Sequence, residues 1–156
     1  MCIRDSNCVA DRAGKAVAAV ASEITDKMEF LSQGHKLSSR IRYLSAQLKE
    51  YEDYNGGGRR PGRGSRYRTN AGFTRLIDAK VSAEQDLSRA KDEYARWYVS
   101  ANLAIDGVPD GRARTAMKLH YLDGFDREVV AEHMGCKVGA VNRLLKDGCE
   151  MIRLAA

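Results

Sequence analysis

Near the C-terminus, Lys137, Asn142, Arg143 and Lys146 place cations and an amide within three turns of a prospective helix. Those groups suit a polyanion with readable edges. The guanidinium of Arg143 offers parallel donors that match O6 and N7 of guanine, and the amide of Asn142 matches N6 and N7 of adenine. Lys146 is placed for phosphate, which holds register without reading sequence. Lys137 can serve either purpose. Projected at 100° per residue, Gly139, Asn142, Arg143, Lys146, Glu150 and Arg153 share one side. Val141, Leu144, Leu145, Gly148, Met151 and Ile152 share the other. Gly139 permits close backbone approach, whereas Gly148 has no counterpart in that pattern. Each glycine costs about 1 kcal/mol against alanine inside a helix.

Such a face reads duplex DNA only if a second helix sets it into the major groove. The stretch from Arg127 to Lys146 has the spacing for that. Ala131 is small enough for two helices to cross closely, and Gly135, four residues on, supplies the positive φ of a tight turn. Val141 and Leu144 anchor the second helix, while Val130 and Met134 complete the packed face of the first. A short helix over 111–122 precedes them and ends at Asp123-Gly124. Residues 107–156 thus read as a helix-turn-helix DNA-binding domain with double-stranded DNA as partner. An ordinary packed bundle with a basic surface is the bland alternative, and the coincidence of small, glycine, apolar and basic positions weighs against it.

Upstream, apolar residues recur at alternating steps of four and three: Phe30, Gly34, Leu37, Ile41, Leu44, Leu48 and Tyr51. A second seam follows Asn70 and runs Leu76, Lys80, Ala83, Leu87, Ala90, Tyr94, Trp97, Ala101 and Ala104, with Lys80 its one misfit. Both have the heptad character of coiled-coil helices. The second stops at Asp106-Gly107-Val108-Pro109. Residues 28–106 are therefore expected to form a long helical hairpin, either closed on itself or zipped to a second chain as a homodimer. The connecting loop, 55–72, is rich in glycine and carries Arg59, Arg60, Arg63, Arg66 and Arg68. These five arginines match the whole formal excess of +5. They read as a solvated connector or as a nucleic-acid-contacting loop.

Other function classes find little footing. Cys2, Cys8, Cys136 and Cys149 form no CxxC pair, and His35, His120 and His133 are unclustered, so no metal site is expected. Without a nucleophile motif, phosphate loop or carboxylate pair, neither an enzyme nor a cofactor is expected. No apolar run reaches the length of a membrane span, and a cytoplasmic protein is expected. The opening Met-Cys-Ile-Arg-Asp-Ser matches an in-frame translation of a sequencing adapter. Residues 1–6 are accordingly set aside, while the alanines of 7–27 could support a helix yet carry little large apolar surface to dock it. With periodicity starting at Met28, residues 1–27 are expected to be a non-native or poorly ordered extension, dispensable to a chain starting at Met28.

The segment RTAMKLHYLDGFDREVVAEHMGCKVGAVNRLLKDGCEMI resembles region 4 of sigma-70 factors, in its YL-x-G, EVVAEHMG and valine-bearing second helix. From Met28 the layout is similar to small phage sigma-70-like proteins of the ArpU type. The likeness covers 28–154 and is strongest over 112–154. It implies an all-α protein, a helical hairpin followed by a region 4-like helix-turn-helix, that regulates phage or prophage transcription and engages host RNA polymerase. Sigma-like modules usually start the recognition helix with serine or threonine, where this chain has Cys136, Lys137, Val138 and Gly139. No −10 recognition region is present, so the resemblance does not extend to a complete sigma factor. A small-terminase-like DNA-packaging protein and a polymerase-binding module that reads no DNA are the competing readings.

Overall fold

The computed structural model describes residues 6–56 and 70–154. Among them every regular element is helical: α1 (Ser6–Gly56), α2 (Asn70–Asp106), α3 (Gly111–Met117), α4 (Arg127–Met134) and α5 (Val138–Met151). A π-helical segment, Lys118–Leu122, continues α3. The protein is all-α, a long helical hairpin followed by a helix-turn-helix, as the two periodicities require. No helix among the described residues is long and apolar enough to cross a membrane.

The chain divides into two compact units, one built from 35–97 and the other from 1–34 with 98–156. In the first, the expected seams are the covered faces. Leu44, Leu76, Ala83, Ala90 and Trp97 are buried, and Leu37, Ile41, Leu48, Tyr51, Leu87 and Tyr94 are half-buried between them. Apolar area removed from water along these stripes, about 25 cal/mol per Å², outweighs the modest intrinsic preference of either helix. Tyr94 and Trp97 pack ring against ring at 5.5 Å. Arg40 of α1 and Glu93 of α2 lie 3.8 Å apart; both are half in solvent, so the pair fixes partners more than it stabilises. The misfit Lys80 stays half-buried and carries its ammonium out to Glu84 Oε1 at 3.9 Å, covering apolar surface with its stem.

In the other unit, Leu31, Ile105, Val108, Met117, Val130, Val141, Cys149 and Ile152 are fully enclosed. Short ties set the angles between its helices. Asp110 caps α3 by accepting from the backbone N–H of Arg112 at 2.9 Å. Arg114 donates from Nε and Nη2 to the Val108 carbonyl at 3.1 and 2.8 Å. Lys118 reaches Asp106 at 2.6 Å, joining the π-helical segment to the end of α2. Gly124, at φ +75°, turns the chain toward α4, and a 2.8 Å hydrogen bond between His120 Nδ1 and the Phe125 carbonyl closes that turn.

One expectation meets a different outcome. Met28 opens no element: α1 starts at Ser6 and runs through it unbroken. Lys27 is buried, paired with Glu23 at 2.8 Å. The heptad phase explains this, because Lys27, Leu31 and Gly34 extend the covered stripe backwards at steps of four and three. The stripe passes through Leu31 rather than Phe30, which is only half-buried. Glu23, Asp26 and Lys27 line an open groove of about 1240 Å³ with Gly107, Pro109 and the end of α5. Glu23, Asp26 and Lys27 thus lie against residues of the same unit as Pro109 and Ile152.

Candidate nucleic-acid interface

The hinge of the C-terminal pair is Gly135, at φ +61° and ψ +36°. Only glycine occupies that left-handed region without strain. Its N–H bonds to the Glu132 carbonyl at 3.2 Å, and the next N–H, of Cys136, reaches back to the Ala131 carbonyl at 3.0 Å. Those two bonds form a Schellman motif, which satisfies the last carbonyls of α4 and reverses the chain within three residues. Ala131, 4 % exposed, provides the close approach expected of it. Lys137 then caps α5 in an extended conformation with no side-chain bond to the helix. A serine or threonine there would satisfy one of the free N–H groups.

Helix α5 buries Val141, Leu145, Gly148 and Cys149, with Ile152 just beyond its end. Leu144 is half-buried and Met151 is 40 % exposed, so the covered arc is rotated away from Leu144 and Met151 toward Leu145 and Cys149. The cause is α3. A methyl group on Gly148 would overlap the sulfur of Met117 and touch Ala113. Gly148 is where α3 and α5 cross, which accounts for a glycine that the outward face left unexplained. Cys149 Sγ lies 3.8 Å from the Tyr121 hydroxyl. Burial pushes both groups above their ordinary pKa values, and for Tyr121 the nearby Cys149 adds to the effect. Both stay neutral in the core.

Away from that core, Gly139, Arg143 and Lys146 are exposed on the outer face of α5, with Asn142 exposed at its flank and Lys137 exposed at the cap before the helix. Nothing comes within 4 Å of the place a Gly139 side chain would occupy. Arg143 stands at the centre, directly away from Val141 and Leu145. Asn142 lies at the flank next to α4, where its Oδ1 accepts a 3.0 Å hydrogen bond from Arg127 Nη1. Arg127 was not among the residues picked from the sequence; fifteen positions from Asn142, it carries no local signal. Arg59, Arg60, Arg63, Arg66 and Arg68 lie outside the described residues. Among those described, no group of three or more His, Cys, Asp or Glu side chains converges on a common point. His133 stacks on Phe125 at 5.9 Å.

Taken together, a Schellman turn between two short helices, with polar and cationic groups on the outer side of the second, defines a helix-turn-helix. Residues 110–152 match the family Sigma-70, region 4, whose domains bind DNA and RNA polymerase. The match begins at the Asp110 cap of α3 and closes at Ile152, so it takes in α3, the π-helical segment, α4 and α5 and nothing of the hairpin. No curated protein and no solved structure matches the chain. The C-terminal module is thus a sigma-70 region 4-like, DNA-binding helix-turn-helix.

Proposed function

We propose that this chain is a phage or prophage transcriptional regulator of the ArpU type, acting in the bacterial cytoplasm on a promoter and through host RNA polymerase. Helix α5 is its major-groove reader. The observation that carries the reading is the exposed Asn142, Arg143 and Lys146 on α5 with Lys137 at its start, backed by a buried face that packs α5 against α3 and α4. In that arrangement Arg143 meets a guanine edge, Lys146 a phosphate, and Gly139 leaves room for the sugar–phosphate backbone. The proposed activity is binding.

A randomised-site selection followed by titrations at fixed salt tests this. Arg143→Ala should cost about 1–3 kcal/mol and relax preference at one base pair. Lysine lacks the planar fork, so Arg143→Lys should lose the same discrimination while keeping charge. Lys146→Ala should weaken every sequence alike. Equal loss on all sites with Arg143→Ala, or no loss, rules out base reading by Arg143. If the loop arginines also touch DNA, replacing all five with serine should flatten the salt slope by about 0.9 for each phosphate they had neutralised.

A further inference from the structure

The hydrogen bond from Arg127 to Asn142 has a consequence for which base α5 selects. An asparagine reads adenine by accepting from N6–H with its oxygen while donating to N7 with its nitrogen. Here Oδ1 of Asn142 already accepts from Arg127 at 3.0 Å, and a full positive charge sits beside it. The oxygen keeps a second lone pair, but the guanidinium draws its electron density and leaves it a weaker acceptor for an incoming amino group. The amide nitrogen, by contrast, is left to donate. Arg127 itself contributes only donors, since a guanidinium has no acceptor and does not deprotonate in proteins. Both side chains are exposed, and Arg127 is the first residue of α4, adjacent to the α5 face.

We propose that Arg127 is a positioning residue for base selection: by holding the Asn142 oxygen it turns this flank of the α5 surface toward donation, favouring guanine over adenine at the base pair Asn142 meets. Guanine presents two acceptors in the major groove, O6 and N7, and adenine presents N7 beside a donor. The inference rests on α5 reading DNA as proposed above, and it reverses the adenine preference that Asn142 alone would have. Arg127 acts through the amide, so its removal frees Oδ1 for a base.

The test uses the full chain in three forms: unaltered, Arg127→Ala, and Asn142→Ala, each put through randomised-site selection and titrated on paired sites. Comparing the unaltered chain with Asn142→Ala identifies the base pair that depends on Asn142. At that pair the unaltered chain should prefer guanine, and Arg127→Ala should shift the guanine-to-adenine ratio toward adenine by about tenfold. Preference at the Arg143-dependent pair should stay as it was, and the melting temperature should not move, since both side chains are exposed. A simple structural or charge role for Arg127 would weaken all sites together without exchanging one base for another. Adenine preference in the unaltered chain, or an unchanged ratio after Arg127→Ala, overturns the inference while leaving DNA reading intact. Selection of no sequence at all by the unaltered chain overturns both.

Discussion

Two glycines in one helix separate packing from function at the level of single residues. Gly148 faces Met117 and Ala113 with no room for a methyl group, and Gly139 faces open space. Gly148→Ala should therefore destabilise the module, by about 1–3 kcal/mol as overpacked cores do, because the fully enclosed Met117 must change rotamer to admit the methyl group. Gly139→Ala should do the opposite and add about 1 kcal/mol through helix propensity. Thermal melts of the two variants check both signs. If Gly139→Ala raises the melting temperature and still lowers affinity for DNA, the missing side chain is serving close backbone approach. The sequence alone could not rank these positions. A glycine's neighbours are known only when the partner helix is, and Met117 lies far along the chain from Gly148. The same limit hid the bond between Arg127 and Asn142.

At the scale of elements, most boundaries were legible because local rules set them. Gly135 had to be the turn, since a positive φ excludes other residues at low cost, and Gly107 with Pro109 had to end α2. Both heptad seams emerged as the covered faces of α1 and α2. What periodicity could not fix was phase within a few tens of degrees. Leu144 and Leu145 both border the apolar arc of α5, and only the crossing with α3 decides that Leu145 is the buried one. The start of α5 also departs from what a helix N-terminus favours. Lys137 supplies no cap and places a positive charge at the positive end of the helix dipole. Lys137→Ser should stabilise the module by about 1 kcal/mol and, on the proposed function, weaken binding to every DNA sequence alike. Melting curves and salt-dependent titrations on the same variant would show the exchange. A variant that gains no stability would mean that water already satisfies those N–H groups.

For the whole molecule, the informative disagreement is at Met28. The onset of strong periodicity there suggests a boundary, yet α1 passes through it and Lys27, one residue earlier, is buried. Alanine-rich sequence hid the continuation, because small side chains give a weak periodic signal even where a helix continues. Removing residues 1–27 deletes Lys27 and its partner Glu23 and leaves one side of the groove beside Ile152 without its wall. The shortened chain should melt at a lower temperature than the full one, by several degrees if about 1 kcal/mol is lost. Calorimetry on both lengths decides the matter. Equal melting temperatures would show that the Glu23–Lys27 turn adds nothing to the stability of the unit.

That same unit is discontinuous in the gene. Its first stretch ends at residue 34 and its second begins at 98, with the other unit threaded between. During translation the opening stretch emerges early and its packing partners come last. At about 5–20 residues per second Leu31 spends several seconds outside the ribosome before Ile105, Val141 or Ile152 exists to cover it. The inserted hairpin meanwhile has all of its own partners in hand. Order of synthesis thus gives this chain a built-in sequence of assembly, with the DNA-binding unit closed only after the last helix has been made.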